Sequence, residues 1–426
     1  MVVVDTLRAD ALGVHGSPVP TPVMDGLAQA GVRFETALAP APETAPSQAT
    51  LFTGQDPLRH GVTRNGRSLP DGAETLAEVL KSQGFATAAF VSSFVLDSRF
   101  GWDQGFDLYD ARFEWSGSKI RLERVPGTVG LWDGFRIDGG FDRDAVATTI
   151  AARDWLRAAP EPFFLFVHYF DPHDPYEPPP HAAAATATAP IDLSHRSFLD
   201  YPPAEIERHI RAYLGEVQHV DHAIGQLLLP LRVRGLEDRT LVVLTADHGE
   251  GLGQHGWMHH AVHLYREQVR VPLVFVMPGL PSGASVATPV ALHEVAPTVL
   301  DLLGVPIPDS FTGHSLASAV RRGAEPEARP VFGYRARRTG ASFATERWSV
   351  RTERMRYIRD ADGTIELYDL DADPFELHDL SGREPARVSE HAALLDDYLA
   401  RKPALEDDLT LTPEARAALQ ALGYIE

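Results

Sequence analysis

Short apolar runs alternate with helix-period faces along most of this chain. Val2–Val4 is an apolar run that ends at Asp5, which predicts a fully buried strand with a polar residue at its carboxyl end, the end where open parallel sheets bind ligands. Thr21-Pro22 sets an N-cap residue before Pro at the first helical position, and Met24, Leu27 and Ala28 give the next segment one apolar face up to Gly31. Thr75-Leu-Ala-Glu78 is a capping box opening a helix that ends near Gly84. Thr87–Val91, Pro162–His168, Leu241–Thr245 and Val271–Met277 read as further buried strands, and Arg211–Leu229 as a long helix between two of them. The alternation predicts a doubly wound α/β sheet.

The rhythm breaks twice. The stretch 178–203, Pro-rich and then Ala/Thr-rich, reads as a surface loop near the mouth of a site. After about residue 325 the pattern shortens: Trp348–Arg351 and Met355–Arg359 alternate polar and apolar residues, and Asp362-Gly363 is a hairpin dipeptide before Ile365–Tyr368. An acidic turn region, Asp369–Asp379, and a terminal amphipathic helix ending near Gly423 follow. This predicts two units: an α/β domain over 1–325 and a C-terminal subdomain over 326–426 with a small antiparallel sheet and a helix.

Composition narrows the function classes. With 39 basic against 59 acidic residues the formal charge is −20, and no basic block exists, so a nucleic-acid surface is excluded as a working reading. An anionic ester remains a possible substrate where a metal ion and a few Arg or His residues reverse the local sign. The absence of cysteine removes disulfides, thiolate metal sites and cysteine nucleophiles. No apolar run is long enough to span a membrane, so no transmembrane segment is expected. The chain as written shows no export signal and reads as soluble and cytoplasmic, or as periplasmic or envelope-located if a signal lies upstream of Val2–Val4. Oligomeric state has no signature.

The candidate chemistry centres on Ala41–Gly54. Hydrolysis of a stable phosphate or sulfate ester needs an oxygen nucleophile, a cation for the non-bridging oxygens and a proton source. Thr44 is the candidate nucleophile. The alternative reading is a Pro-rich loop whose Ser and Thr cap a helix. Asp5 and Asp247 both follow apolar strands, so a parallel sheet would bring them to one edge; Asp5 is also readable as the cap of a following helix, and Asp247 as a residue with a purely structural role. With His248 they form a donor set for Zn²⁺, Mn²⁺ or, given more oxygens, Ca²⁺, and a coordinated Thr44 hydroxyl would lose its proton more easily. The glycines at 249, 251, 253 and 256 mark a loop of unusual backbone after that pair. The strand ending at His168 delivers His168, Asp171, His173 and Tyr176 onto a Pro-fixed loop, where His173 is a candidate proton donor or oxyanion clamp. His255, His259, His260 and His263 crowd a second stretch. Asn65 is readable as an amide donor to an oxyanion or as a turn residue before Gly66. His168, His263 and Arg59 are candidate substrate contacts, and Asp171 with His259 a candidate second metal site.

Taken together these residues resemble the sulfatase family of the alkaline phosphatase superfamily. The segments that carry the likeness are Val3–Asp10; Thr21-Pro22 with Met24-Asp25 and Leu27-Ala28; Pro46-Ser47 through Thr53-Gly54; Arg59-His60-Gly61-Val62; Pro172-His173 with Pro175-Tyr176; and Asp247-His248-Gly249-Glu250 through His255-Gly256. Leu264-Tyr265, Arg270–Leu273, Ala296–Thr298, Glu366–Leu370 and the late Leu419–Tyr424 extend it over nearly the whole chain. The resemblance implies an alkaline-phosphatase-like α/β fold: a mixed, mostly parallel sheet flanked by helices, with a small C-terminal α+β subdomain carrying an antiparallel sheet. It implies a divalent metal held by Asp5, Asp247 and His248 with Thr44 as nucleophile and ligand, and substrate contacts at Asn65 and His173, with His260 in the place of a basic residue on the ester oxygens.

Three departures shape the expected activity. Family members that act as sulfatases carry Cys or Ser at the nucleophile position, converted to formylglycine; Thr44 cannot be converted, so no formylglycine is expected. Gln48 stands where an Arg supports that group, and Thr6 stands where a second Asp follows the first. These changes resemble superfamily members that use an unmodified Thr, as metal-dependent phosphodiesterases do. The reading is therefore a metal-dependent hydrolase of phosphate, phosphonate or sulfate esters on a small-molecule, glycan or lipid substrate. A strict sulfuric ester hydrolase, a transferase of phosphorylated headgroups and a catalytically silent homologue are the competing readings.

Overall fold

A computed structural model describes residues 1–113, 141–196, 201–337 and 345–401. The expected terminal helix near Gly423 lies outside these residues.

The main sheet is built from β1 (Val2–Val4), β2 (Val32–Leu38), β3 (Ala86–Phe90), β4 (Leu108–Asp110), β5 (Phe163–Tyr169) and β6 (Val242–Ala246). A two-stranded hairpin, β7 (Gly251–Leu252) and β8 (Met258–His259), follows, and β9 (Arg270–Val276), β10 (Ala284–Val286) and β11 (Val290–Ala291) return to the sheet. Its order is β10-β2-β9-β6-β1-β5-β3-β4, with β11 also on β2. All pairings are parallel except those of β9, which runs antiparallel between β6 and β2. The wholly apolar β1 is the reason it can sit centrally: Val2, Val3 and Val4 are buried between β5 and β6, where a strand needs no polar face. β2, β4 and the short edge strands carry no apolar run distinct enough to have been expected.

The helices around the sheet are α1 (Pro22–Ala30), α2 (Thr44–Thr53), α3 (Pro57–His60), α4 (Leu76–Ser82), α5 (Ala145–Ala158), α6 (Pro180–Thr186), α7 (Pro203–Val233), α8 (Arg266–Val269) and α9 (Val295–Leu302). α1 and α4 begin as the sequence predicts, the latter with its capping box formed in both directions. α7 starts earlier and ends later than expected, because Pro203 and a long apolar stripe from Ile206 to Leu231 extend it. Its Asp221 carboxylate accepts the Val23 and Met24 N–H groups at the start of α1. The stretch 178–203, expected as a loop, contains α6 packed on α7.

Farther along, α10 (Ala317–Arg322) precedes a separate antiparallel sheet of β12 (Val331–Arg335), β13 (Arg347–Arg351), β14 (Met355–Asp360) and β15 (Ile365–Asp369), and α11 (Pro385–Ala400) covers it. Gly363, at φ +93°, supplies the left-handed turn between β14 and β15. No helix among the described residues is long and apolar enough to cross a membrane.

Candidate active site

The central strands of the main sheet end in one cluster. Parallel registration sets Val3 level with His168 and Thr245, and Val4 level with Tyr169 and Ala246, so Asp5 and Asp247 leave adjacent strands at one height. Asp5, Thr44, His168, Asp247 and His248 are each 0% exposed. Asp5, His168 and Asp247 offer donor atoms within 4.8 Å of one another, the one such group among the described residues. His248 Nε2 stands 3.5 Å from Asp5 Oδ1 and 3.4 Å from Thr44 Oγ1.

Local folding explains each placement. Thr44 is the first residue of α2, whose partial positive charge at the N-terminus favours an anion there. That helix is fixed by Phe52, edge-on to Phe166 of β5 at 4.8 Å, and is closed by Gly54 at φ +60°, where a Cβ would strike Phe311. Thr6 adopts a left-handed φ of +54°, unusual for a β-branched residue. The turn aims its N–H at Asp247 Oδ1 (3.3 Å) and its carbonyl at the Tyr213 hydroxyl (2.9 Å), which hold the conformation. Gly249 approaches the Glu267 carbonyl so closely that a Cβ would lie 2.2 Å from it.

The hydrogen bonds define protonation. His248 Nδ1 faces the Gly249 carbonyl at 2.9 Å; a carbonyl only accepts, so Nδ1 carries a hydrogen and Nε2 is the ring atom turned toward Thr44 and Asp5. Burial, then the charges of Asp247 and Glu250, push Asp5 well above the usual carboxylate range. Asp247 is also subject to burial, but the His248 and His168 imidazoles and the His248 N–H hold it down to about 2. The Gln48 amide donates to Asp247 Oδ2 (3.3 Å), so the residue that departs from the family pattern supports a carboxylate.

This donor set fits a divalent cation. Both Asp5 oxygens are buried without a hydrogen-bond partner, and two carboxylates share one dry site. Left alone, such groups are costly; a bound cation compensates both at once.

Beside the cluster lies a run of histidines. The His260 ring centroid is 4.6 Å from that of His248 and 4.8 Å from that of His173. His260 Nδ1 donates to Glu250 Oε1 at 3.2 Å, and Glu250 is wholly buried, its carboxyl pushed up to about 7 by that burial. His173 stacks on Phe170 and donates Nδ1–H to the Asp174 carbonyl (2.6 Å); burial, then His260, push it well below the ordinary imidazole value. Asn65 spends its Oδ1 on the Ala45 N–H (2.8 Å) and takes Glu43 on its own N–H, so any substrate contact falls to its Nδ2.

Four expectations are revised. Arg59 is exposed and pairs with Asp56 (3.4 Å), lining a hollow of about 290 Å³ with His293, Phe332 and Tyr398 instead of the carboxylate cluster. Asp171 turns to α5, where its Oδ2 accepts the Ala145 N–H (2.8 Å), and neither it nor His259 joins the donor group. His263 packs against Arg347, Trp257 and Tyr265. His168 lies among the carboxylates. Gln48 stood out in the sequence only as a departure from the family pattern, and Glu250 was given no role there; the adjacency of Glu250 to Asp247-His248 was the available signal.

A family model described as Sulfatase matches residues 1–305, and one described as N-sulphoglucosamine sulphohydrolase, C-terminal, matches residues 253–400. The ulvan-active sulfatase of Formosa agariphila is 26% identical over 401 residues, covering 90% of this chain and 76% of that protein. A protein solved with its substrate D-glucosamine-2-N,6-O-disulfate aligns with a TM-score of 0.80 at 21% identity, over 96% of this chain and 99% of the other. The phosphonate monoester hydrolase of Agrobacterium radiobacter aligns at 0.78 and 23% identity, over 94% and 95%. At these identities the two structures share the fold with this chain.

Proposed function

We propose, from the premise that this chain belongs to the sulfatase family, that it is a metal-dependent ester hydrolase in which unmodified Thr44 is the nucleophile. The preferred substrates are phosphodiesters or phosphonate monoesters of a small molecule, glycan or lipid. The observation that carries this reading is the position of Thr44 Oγ1: fully buried at the N-terminus of α2 and 3.4 Å from Nε2 of His248. A hydroxyl so placed can act directly, with no side-chain conversion.

When bound, a divalent cation at Asp5, Asp247 and His248, with Thr44 as a further ligand, neutralises non-bridging oxygens and lowers the pKa of a neighbouring hydroxyl. The Thr44 hydroxyl gives up its proton to solvent and Oγ attacks phosphorus in line, forming a phosphothreonine as the bond to the leaving oxygen breaks. His260, its Nδ1–H held by Glu250, gives its Nε2 proton to that oxygen; in the second step it takes a proton from the water that attacks phosphorus, and Thr44 Oγ, released as the Oγ–P bond breaks, takes one back from solvent. His173 and the Asn65 amide orient the ester. Burial of the cluster strengthens each of these electrostatic contacts.

Sulfate esters are the second reading, favoured by relatives named as sulfatases. As part of the same proposal we divide the chain at residue 325, because β12–β15 form their own sheet with their own apolar core around Val350 and Leu367. The test is a parallel assay of sulfate monoester, phosphate monoester, phosphodiester and phosphonate monoester, with quenched samples searched by mass spectrometry for phosphate on Thr44. A strict preference for sulfate monoesters, or full turnover by Thr44→Ala, overturns the proposal.

A further inference from the structure

The reading above leaves one buried residue without a task. His168 has 0% exposure, and neither ring nitrogen has a hydrogen-bond partner. Its Nε2 lies 3.7 Å from Asp5 Oδ2 and 3.8 Å from Asp247 Oδ2, while His248 Nε2 lies 3.5 Å and 3.9 Å from the other oxygens of the same two carboxylates. Each imidazole therefore faces one oxygen of each carboxylate. A histidine recruited as a structural ion-pair partner closes to about 2.7–2.9 Å, and these contacts stop well short of that. Donors about 2.1 Å from one ion at a tetrahedral angle lie about 3.4 Å apart, close to the spacing here.

The placement is not accidental to the backbone. His168 sits in β5 level with Val3 of β1, so the donors come from three adjacent strands: His168 on β5, Asp5 after β1, and Asp247 and His248 after β6. Main-chain ladders fix their separation, which suits an ion with definite geometric demands. Nearby Thr6 contributes its N–H to Asp247 and leaves its hydroxyl buried without a partner, so it adds no carboxylate to the set.

We propose that His168 Nε2 is a direct ligand of the catalytic cation together with Asp5 and Asp247, and that an imidazole in this buried set selects a transition metal of the Zn²⁺ or Mn²⁺ class over Ca²⁺. Calcium takes six to eight oxygens, whereas imidazole nitrogen suits the borderline divalent metals. This rests on the metal-dependent reading given above and specifies the metal and a ligand that reading does not use.

The experiment is metal binding, read without turnover. Full-length protein stripped with chelator and checked by circular dichroism is titrated with Zn²⁺, Mn²⁺ and Ca²⁺ by calorimetry, and with Co²⁺ for its visible spectrum, as wild type, His168→Ala, His168→Gln and His168→Asp. Expected are Zn²⁺ or Mn²⁺ affinity at least about 100-fold above Ca²⁺ in the wild type, and a loss of about 100-fold or more in Zn²⁺ affinity in both the Ala and Gln variants, with an altered Co²⁺ spectrum. His168→Asp, which restores an oxygen donor, narrows the preference for Zn²⁺ over Ca²⁺. Wild-type Zn²⁺ affinity and an unchanged Co²⁺ spectrum in a folded His168→Ala or His168→Gln protein overturn the assignment, as does equal affinity of the wild type for Ca²⁺ and Zn²⁺. If Thr44→Ala keeps full turnover while the His168 variants lose metal, the nucleophile reading fails and the ligand assignment stands.

Discussion

Two regions of this protein bury charge, and they treat it in opposite ways. Where the segment His255–Val269 meets the C-terminal sheet, buried groups find partners at bonding distance: Arg356 with Glu376 (3.1 Å), the Arg266 N–H with Glu376 (2.7 Å), Tyr265 with Glu366 (2.7 Å), Arg347 with Asp360 (2.6 Å). At the carboxyl edge of β1, β5 and β6, Asp5 and His168 are equally buried and their polar side-chain atoms have no hydrogen-bond partner. Satisfied buried charge holds elements together and specifies their fit; unsatisfied buried charge is destabilising in isolation and is kept where a ligand completes it. In the joint, Arg356 and Glu267 each leave one polar atom unpaired but pair another, whereas Asp5 and His168 pair none, so the contrast holds residue by residue and not by residue type.

That contrast can be broken by measurement, beginning with the largest effect. Thr44→Ala should cut turnover at least about 1,000-fold on the best ester substrate while leaving the thermal midpoint close to wild type, because the nucleophile contributes to chemistry more than to packing. Steady-state kinetics with a melting curve checks both halves. Arg356→Ala should do the reverse, destabilising the protein by about 3–5 kcal/mol through an orphaned Glu376, readable in urea unfolding. Cation affinity of the folded fraction should stay at the wild-type value.

His255 supplies a pH test of the joint. Its Nε2 faces the Glu376 carbonyl (3.0 Å) and its Nδ1 the Glu267 carboxylate (2.8 Å), so both nitrogens donate and the ring is an imidazolium. Burial opposes this, but Glu267 and then Glu376 raise the ring to about 9. A folded value above the unfolded one means that the stabilisation is fully present below about pH 6.5 and is lost as pH rises through about 9, a swing on the order of 3 kcal/mol. Melting temperature followed from pH 6 to 10 should fall in the wild type across that window and stay flatter in His255→Gln.

Smaller effects sharpen the border. Glu250→Gln keeps the shape beside His260 but removes the anchoring charge, and kcat should fall about 10–100-fold with KM little changed, more for poor leaving groups than for good ones. Arg59→Ala should alter neither turnover nor stability by more than about 0.5 kcal/mol, since its contact with Asp56 is a surface pair.

The sequence carried the central strands, the capping box of α4 and the convergence of Asp5 with Asp247, because each depends on local pattern plus the rule that parallel strands end together. It carried less about partners. His168 read as a substrate contact because its role depends on register with Val3 across a helical crossover, and no local signal encodes that register. Asp171 and Asn65 sit in plausible motifs, yet spend oxygens on the N–H groups that open α5 and α2. Arg59 follows the nucleophile closely in sequence, but α3 carries it outward. Motifs indicate which residues gather in one neighbourhood; the remaining hydrogen bonds decide which face the chemistry.

One feature of the sheet bears on how such a site can change. Because β9 returns antiparallel beside β6, the segment between Asp247 and Arg270 leaves and re-enters the sheet at one edge, and its neck is tied by Gly249 N–H to Gln268 O and Glu250 N–H to Glu267 O, both 2.9 Å. The proposed ion-binding pair, Asp247 and His248, lies at the neck, and His255, His259, His260 and His263 lie on the ring beyond it. Doubling the length of such a ring adds only about 0.6 kcal/mol of closure entropy. Insertions between Gly251 and Arg266 are thus a low-risk route to redesign: they would reshape what the pocket admits while Asp247 and His248 stay moored to their strand, letting selectivity drift independently of reactivity.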